Sequence, residues 1–395
     1  MKKIVLAYSG GLDTSFCLAY FKSKGHQVHT VLVNTGGFNS SELKSIEERA
    51  YEIGSDYHEV LDETSNYYEK CIKYMVFGNV LKNNTYPLSV SSERIFQGMA
   101  IAQYANQIGA DAIAHGSTGA GNDQVRFDMC FKVICPGIEI ITPIRTMSLS
   151  RQEEIEFLKN AGVQDDWEQK QYSVNKGLWG TSIGGKETLT SRYALPESVY
   201  TPKSNSTDKE IGLTFQKGEL VAIDHEKANP IQLIQQLNAI GLEYGIGRDI
   251  HVGDTIVGIK GRVAFEASAA LMIIKAHEAL EKHVLSKWQI QHKSQLSDWY
   301  GMLLHEGQYL EPFMRDVEAF LDNSQNRVSG TVYLQLKAEH FSVNGIESPF
   351  DLMQAKFGTY GEENNAWTAD QAMGFIELLS VPLKNYYQLE KTELI

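Results

Sequence analysis

A seven-residue segment near the start of the chain constrains its fold more than any other feature. The segment reads Ser-Gly-Gly-Leu-Asp-Thr-Ser over residues 9–15 and follows a short apolar run at 4–7. The apolar run predicts a buried strand, and the apolar residues at 16–21 suit a helix. Glycines let the backbone approach an oxyanion, and the first amides of the helix point at it. This segment, the phosphate loop, therefore predicts an anion site whose guest is phosphate.

The spacing within the phosphate loop separates the known kinds of phosphate site. No lysine is present for a Walker loop, and the strand predicted at 28–33 is followed by Asn-Thr-Gly-Gly, without the carboxylate of a dinucleotide site. The loop instead matches the pattern Ser-Gly-Gly-x-Asp-Ser/Thr-Ser and resembles that of the ATP pyrophosphatases. The resemblance implies that the loop holds the pyrophosphate of ATP. An accidental glycine turn between a strand and a helix is the alternative.

Composition and charge exclude several classes of protein. At 395 residues the chain has room for about two to three domains. Its net charge of -13 argues against a broad nucleic-acid surface. The four cysteines, Cys17, Cys71, Cys130 and Cys135, form no zinc-type pair, which indicates a reduced compartment. The sequence shows neither a signal peptide nor an apolar run of roughly 20 residues. We expect a cytoplasmic protein that binds neither nucleic acid nor membrane.

Strand and helix signals alternate over the first part of the chain. Helical patterns end at Gly25, Gly54 and Gly109, as expected of carboxy-terminal caps, and Ser150 with Glu153 forms a capping-box pattern. Strands that alternate with helices predict a parallel sheet covered on both faces.

The character of the sequence changes after about residue 164. The later segments predict a hairpin at 213–223, helices within 267–305 and 312–321, strands at 331–336 and 340–343, and an amphipathic helix at 368–379. The predicted class is α/β. We expect a parallel-sheet nucleotide-binding domain of the ATP pyrophosphatase type over 1–165, an α+β synthetase domain over 166–362, and a carboxy-terminal oligomerisation helix and tail over 363–395.

A second polar segment, residues 115–128, follows a strand predicted at 112–115. In an open parallel sheet it lies at the carboxyl edge, beside the phosphate loop. Thr118 and Asn122 offer short hydrogen bonds, and Asp123 can receive an ammonium group. Arg126 can hold a carboxylate in a bidentate fork. The segment predicts a site for a zwitterionic amino acid beside a nucleotide, and a polar turn is the alternative.

Two further loops, at 86–94 and 172–185, are rich in serine and glycine. Taken alone, the serines of the first could cap a helix, and the second could be an ordinary glycine loop. The first loop contains a Tyr-Pro-Leu motif and the second a Leu-Trp-Gly-x-Ser motif. With these motifs and the run His-Gly-x-Thr-Gly-x-Gly-Asn-Asp-Gln-Val-Arg-Phe at 115–127, the chain resembles the argininosuccinate synthase family. The resemblance covers nearly the whole chain and is that of a divergent member.

The resemblance implies a ligase of arginine biosynthesis. Citrulline, aspartate and ATP would give argininosuccinate, AMP and pyrophosphate through a citrullyl-adenylate, with Mg²⁺ on the departing pyrophosphate and no protein side chain predicted as a metal ligand. It also implies a homotetramer. By position, ATP would be held by Ala7, Tyr8, Ser9, Gly10, Gly11, Leu12, Asp13, Thr14, Ser15 and Gly116. The amino-acid substrates would be held by Tyr86, Ser91, Thr118, Asn122, Asp123, Arg126, Ser173 and Ser182, of which Asp123 and Arg126 are also predicted, with Asp13, to be catalytic.

The chain departs from the family pattern on the citrulline side. Gly253 stands where the family has a glutamate, and Phe265 where it has a tyrosine; Gly184 and Ala120 also replace charged family residues. A buried ammonium without a partner is costly. Either Asp254 or another carboxylate replaces the lost partner of the citrulline α-ammonium, or the α-amine arrives acylated and neutral.

Two other functions are open from the sequence. A different ligase of the pyrophosphatase type would normally add a glutaminase domain, zinc-binding cysteines or a basic RNA-binding face, and the sequence shows none of these. A relative that binds nucleotide without catalysis would keep ATP binding and lose pyrophosphate release.

Overall fold

The computed structural model describes residues 1–163, 167, 172–204, 207–354 and 366–390. The chain divides into two compact units, residues 1–348 and 349–395. The domain boundaries predicted at 165–166 and 362–363 lie outside the described residues. Among the described residues, no helix has the length and apolar character needed to cross a bilayer.

Five parallel strands form the first sheet: β1 (Lys3–Ala7), β2 (Gln27–Asn34), β3 (Tyr57–Asp62), β4 (Ala112–Ala114) and β5 (Glu139–Ile141). They lie in the order β3-β2-β1-β4-β5, and β1 is central. The associated helices are α1 (Leu12–Ser23), α2 (Ser40–Ile53), α3 (Thr64–Tyr67), α4 (Lys73–Gly78), α5 (Ser89–Ile108), α6 (Asp123–Ile134), α7 (Pro143–Met147) and α8 (Arg151–Asn160). The predicted parallel sheet is confirmed.

Capping boxes start two of these helices. The side chain of Asn39 accepts the backbone N–H of Glu42 at 3.0 Å and begins α2. The predicted box at α8 is confirmed, because the Ser150 N–H donates to Glu153 at 2.7 Å and the Glu153 N–H donates to the Ser150 hydroxyl at 3.4 Å. Each box satisfies amides that the first helical turn leaves unpaired.

Antiparallel sheets and long helices make up residues 172–348. The strands are β6 (Ser173–Gly177), β7 (Gly180–Gly184), β8 (Lys209–Gln216), β9 (Glu219–Ile223), β10 (Glu226–Lys227), β11 (Arg248–Asp254), β12 (Lys260–Glu266), β13 (Gly330–Lys337) and β14 (His340–Glu347). They form sheets in the orders β11-β12-β7-β6 and β10-β9-β8-β13-β14. The helices are α9 (Pro230–Tyr244), α10 (Ser268–Val284), α11 (Lys287–His305) and α12 (Phe313–Ser324).

The hairpin predicted at 213–223 is confirmed by β8 and β9, which turn at Lys217 and Gly218 with φ angles of 48° and 82°. The helical stretch predicted at 267–305 divides between α10 and α11. The break occurs because Ser286 caps α11, with its N–H donating to Gln289 at 3.0 Å. Buried α5 contacts strands of the first sheet and also β6 and β7, so it places the β6–β7 hairpin beside the first sheet.

The second unit contains α13 (Ala369–Glu390), which is longer than the helix predicted at 368–379. Its large apolar side chains are exposed, among them Met373, Phe375, Ile376, Leu378 and Leu379. An oligomerisation role for this helix stays a prediction.

Candidate active site

The phosphate loop joins β1 to α1 as the sequence predicted. Gly10 has a left-handed φ of 72°, and Gly11 begins the helix without any side-chain cap, which leaves the first-turn amides available to a ligand. The loop is braced from within, since the Thr14 hydroxyl donates to the Gly11 carbonyl at 3.2 Å and accepts the Ser9 N–H at 3.4 Å. This geometry can receive a phosphate group.

The loop after β4 packs directly on the phosphate loop. A Cβ at Gly116 would lie 3.1 Å from the carbonyl carbon of Asp13 and 3.2 Å from its oxygen. A side chain at this position would therefore have to push the two loops apart by a few tenths of an ångström. Because β1 and β4 are neighbours in the sheet, the two predicted loops meet at one carboxyl edge.

A carboxyl pair lies behind the phosphate loop. The carboxyl groups of Asp13 and Glu154 of α8 lie near enough for each to affect the ionisation of the other. Burial, with the neighbouring Asp13 charge, raises the pKa of Glu154 to about 8, and burial also raises the pKa of Asp13. Oε2 of Glu154 is buried without a hydrogen-bond partner. The sequence reasoning missed Glu154, although the capping box that begins α8 at Arg151 placed it in the first turn.

His115 anchors the second polar segment. Its Nδ1 accepts the Ser117 N–H at 3.1 Å, so its Nε2 donates to Asp128 at 2.9 Å. Arg145 lies 2.9 Å from the other carboxylate oxygen of Asp128. Burial opposes ionisation, but His115 and Arg145 together hold the pKa of Asp128 below its usual range. The histidine is therefore fixed in one orientation by an ionised partner.

Gln124 extends this bracing to the glycines of the loop. Its amide donates to the Gly119 carbonyl at 2.5 Å and to the Gly121 carbonyl at 3.2 Å, while its oxygen accepts from Arg145 at 3.0 Å. Thr118 is exposed and lies between Ser117 and Gly119, which these hydrogen bonds hold in place. The loop is thus held on both sides of a residue that the sequence predicted to contact substrate.

Asp123 lies between two arginines. Arg94 Nε donates to it at 3.0 Å and Arg126 Nη1 at 2.8 Å. Although burial opposes it, Arg94 and Arg126 hold the pKa of Asp123 below its usual range. Arg94 also donates to Asn175 on β6 at 2.8 Å, which ties the hairpin to α6. Arg94 was not among the predicted site residues, although it ends the serine-rich segment at 86–94.

The guanidinium of Arg126 is 3% exposed and its donors contact protein acceptors. Nε and Nη2 donate to the His305 carbonyl at 3.0 and 2.8 Å, and Nη2 also donates to the Ser91 hydroxyl at 3.1 Å. Because Nη1 donates to Asp123, all three guanidinium nitrogens already donate to protein acceptors. The carboxylate clamp predicted for Arg126 stays a prediction.

Tyr86 and Ser182 share a hydrogen bond of 3.0 Å across the junction between α5 and β7. Asn122 is also engaged, since its side-chain oxygen accepts the Ile256 N–H at 2.8 Å. Ser173, in contrast, is exposed on β6, where Asn175 donates to its hydroxyl at 3.4 Å. Side-chain hydrogen bonds therefore join five of the predicted substrate residues in two groups, Tyr86 with Ser182 and Arg126 with Ser91 and Asp123. The side chains of Thr118, Asn122 and Ser173 are not joined to either group in the described part of the chain.

These contacts define an α/β protein in which a candidate anion-binding loop and a second polar loop meet at the carboxyl edge of a parallel sheet. Residues 3–164 match the family model described as the arginosuccinate synthase N-terminal HUP domain, and residues 172–386 match the arginosuccinate synthase C-terminal domain.

Relatives named argininosuccinate synthase match almost the full chain. One from Methanocaldococcus jannaschii is 36% identical over 364 residues, covering 91% of this chain and 92% of the relative. One from Xanthomonas campestris is 36% identical over 400 residues, covering 99% of each. One from Dictyoglomus turgidum is 37% identical over 389 residues, covering 98% and 97%. The chain belongs to the argininosuccinate synthase family, and as a member it is an ATP-dependent ligase that forms a carbon–nitrogen bond.

Proposed function

We propose that this chain condenses citrulline with aspartate in arginine biosynthesis, converting ATP to AMP and pyrophosphate and forming argininosuccinate. The observation that carries the proposal is the meeting of two glycine loops at one sheet edge, with Gly116 against Asp13. The uncapped amides of α1 suit a pyrophosphate, and the braced loop at 116–122 lies beside them. The names of the relatives support the product.

The chemistry needs two displacements. The ureido oxygen of citrulline attacks the α-phosphorus of ATP, and pyrophosphate leaves. The aspartate amine then attacks the ureido carbon, AMP leaves with the bonding electrons, and the amine proton passes to solvent. Adenylation converts a poor leaving oxygen into a phosphate ester. Catalysis is then mostly positioning and charge neutralisation, so no side-chain nucleophile is required.

The roles of the side chains in this proposal are those that the family resemblance implies. Residues 7–15 and Gly116 hold ATP, with the first-turn amides of α1 on the departing pyrophosphate. Thr118, Asn122 and Asp123 bind aspartate. The citrulline side is formed by Tyr86, Ser91, Asn122, Arg126, Ser173 and Ser182, and Asp13, Asp123 and Arg126 are the catalytic group. Arg94 orients Asp123 and the β6–β7 hairpin through the contacts described above.

The carboxyl pair fits Mg²⁺ on the ATP phosphates. Mg²⁺ prefers hard oxygen ligands and commonly takes one or two carboxylates together with substrate phosphates. Asp13 and Glu154 supply two such groups beside the phosphate loop, and the buried Oε2 of Glu154 has no other partner. Asp13 and Glu154 would hold the ion, which would neutralise charge on the departing pyrophosphate. Within the described residues, no cluster of three or more metal-binding side chains is found.

Pyrophosphate release tests the proposed function. The full chain with Mg²⁺, ATP and aspartate is assayed with and without a citrulline-type acceptor, and AMP and product are quantified together. Release that requires both amino-acid substrates, in equal amounts with AMP, is expected. ATP binding without any pyrophosphate release would contradict the proposal and identify a nucleotide-binding relative without catalysis.

Asp128→Asn is expected to raise the KM for aspartate about tenfold, because a hydrogen bond to a charged partner is lost at His115. The loop at 116–122 then loses its anchor, whereas the citrulline side keeps its contacts. Steady-state kinetics with each substrate varied in turn check this. Asp316→Asn, an exposed change on α12, is the control. An equal rise in both KM values would instead indicate a general loss of structure.

Glu154→Gln is expected to raise the Mg²⁺ concentration needed for half-maximal activity about tenfold, since a ligand carboxylate is removed. Titration of Mn²⁺ with ATP present, followed by electron paramagnetic resonance, gives a binding readout independent of turnover. Glu156→Gln, exposed on the same helix, is the matched control. Unchanged Mn²⁺ affinity in Glu154→Gln would remove this residue from the metal site.

Assembly and localisation are also proposals. The exposed apolar side chains of α13 suit burial against other copies of the chain, which supports a homotetramer. The four buried free cysteines suit a reduced cytoplasm. Light scattering on the full chain tests the assembly, and a monomer at micromolar concentration would contradict it.

A further inference from the structure

The citrulline side of the site has a wall of basic groups around Tyr86. Lys82 and Tyr86 close a tight turn through backbone hydrogen bonds of 2.8 and 3.1 Å. The imidazole of His251 stacks on the Tyr86 ring with 5.4 Å between ring centroids. Asn83 donates to the Val252 carbonyl at 3.3 Å and fixes the turn against β11. The backbone of Lys82 and the ring of His251 therefore both contact Tyr86 and form one wall.

His305 and Arg126 continue this wall. The His305 carbonyl accepts from Arg126, and its Nδ1 lies 3.4 Å from Arg126 Nη2. Nε2 of His305 is buried without a partner, and the residue is 6% exposed. Burial first, then Arg126 and Lys82, lowers the pKa of His305 to about 3. We call Lys82, Arg126, His251 and His305 the basic wall.

Three carboxylates near the basic wall are engaged with other cations, whereas exposed Asp249 near His251 forms no ion pair with a described residue. Asp123 is held by Arg94 and Arg126. Asp254 lies 2.7 Å from Lys260, with its side chain 64% exposed, so it is not placed as a buried partner for an ammonium. Glu266 lies 3.0 Å from Arg248. Among the described residues, Lys82 forms no ion pair, and Asp254, which lies near enough to interact with its charge, is beyond ion-pair distance.

Gly253 cannot supply the missing carboxylate. A Cβ at this position would lie 2.6 Å from Nε2 of His251 and 3.3 Å from Nδ2 of Asn83. The imidazole thus occupies the space that a side chain at 253 needs. Phe265 is fully buried against Tyr86, with 5.4 Å between ring centroids, and offers no hydroxyl. Both changes remove partners for a positive charge.

A free α-ammonium at this wall would lose water and would also be repelled by the Lys82 charge. An anion would gain the Lys82 charge and an imidazole donor of His251. The ureido end is unaffected, because it must lie at the phosphate loop for the reaction.

We propose that the basic wall binds the second carboxylate of a citrulline whose α-nitrogen carries an acidic acyl group. The α-nitrogen is then a neutral amide that needs no counter-ion. The inference rests on the proposed function and names the substrate class of the same site. The acyl group is not transferred, and the two displacements proceed as described above.

The test compares kcat/KM for free citrulline, N-acetylcitrulline and N-succinylcitrulline as acceptors in the pyrophosphate assay. The succinyl form is expected to exceed both others at least tenfold, the size of one retained ionic contact. Lys82→Gln is expected to reduce the succinyl-to-acetyl ratio about tenfold, and Lys82→Arg to retain it. Lys209→Gln, on an exposed position of β8, is the control of equal charge change.

The outcomes separate the two proposals. If free citrulline is the best acceptor, the inference is overturned and the proposed function stands. If kcat/KM is the same for N-acetylcitrulline and N-succinylcitrulline, the proposal of an acidic acyl group is overturned. It is also overturned if Lys82→Gln leaves the succinyl-to-acetyl ratio of kcat/KM unchanged. If none of the three acceptors supports pyrophosphate release, the proposed function itself is overturned.

Discussion

Replacing Gly116 with valine is expected to lower kcat/KM for ATP at least about 100-fold, because small displacements of reacting groups cost this much. Even a Cβ at this position reaches 3.1 Å from the backbone of Asp13, and the branched side chain adds two further carbons. The phosphate loop and the loop at 116–122 must then separate. The phosphates and the amino-acid substrates would no longer share one edge of the sheet.

The control for this prediction is Gly345→Val on β14, where an added Cβ meets nothing within 4 Å. Both variants are assayed for pyrophosphate release and for binding of a non-hydrolysable ATP analogue by calorimetry. Gly116→Val should lose affinity for the analogue, and Gly345→Val should keep both activities. Full activity in Gly116→Val would show that the approach of the two loops is not needed for the reaction.

The sequence predicts the sheet and the phosphate loop because both depend on local patterns. Apolar runs, capping residues and glycines act within a few residues of one another, so strand, loop and helix over 4–21 follow from the chain directly. The edge position of the segment at 115–128 follows from the general geometry of parallel sheets. The family resemblance also follows from local motifs, and the family models match the same segments.

The partners of the site residues could not be predicted, because they come from distant parts of the chain. Asp123 accepts a hydrogen bond from Arg94, and Arg126 donates one to the carbonyl of His305. Asp13 interacts with the carboxyl group of Glu154. Each pairing depends on how helices pack, which local pattern does not specify. The start of α5 illustrates the same limit, since its helix begins at Ser89, inside the segment at 86–94 that was described as a loop.

Glu93 and Gly177 are far apart in the sequence but in close contact in the fold. Glu93 is 1% exposed on α5, and a Cβ at Gly177 of β6 would overlap its Oε1 and lie 2.5 Å from its Oε2. Oε1 has no hydrogen-bond partner. The carboxyl group therefore fills the space left by the missing side chain and leaves one oxygen unsatisfied.

Gly177→Ala is expected to destabilise the protein by about 3 kcal/mol, the upper range for overpacking a buried site. In a Glu93→Ala background the same change should lower the free energy of unfolding by less than about 1 kcal/mol, because the clash with the Glu93 carboxyl group is gone. A difference of this size between the two backgrounds is typical of residues in contact. Urea unfolding followed by fluorescence of buried Trp179, two residues away, reports on this region. Equal costs in both backgrounds would mean that the two residues do not meet.

The pH dependence of Glu93→Gln provides an independent check on the same carboxyl group. Burial, opposed by Arg94, raises the pKa of Glu93 from 4.5 to about 8. Between these values the folded protein holds a proton that the unfolded chain releases, so this group makes stability fall as pH rises from about 4.5 to about 8. Glutamine does not titrate.

The stability of Glu93→Gln relative to wild type should therefore increase with pH, by about 2–4 kcal/mol between pH 5 and pH 8. Other titrating groups, including Glu154, are common to both proteins and cancel in the difference. Urea unfolding at several pH values measures it. A difference that stays constant with pH would show that Glu93 has the same pKa folded and unfolded, and that water or a rearranged partner reaches its unsatisfied oxygen.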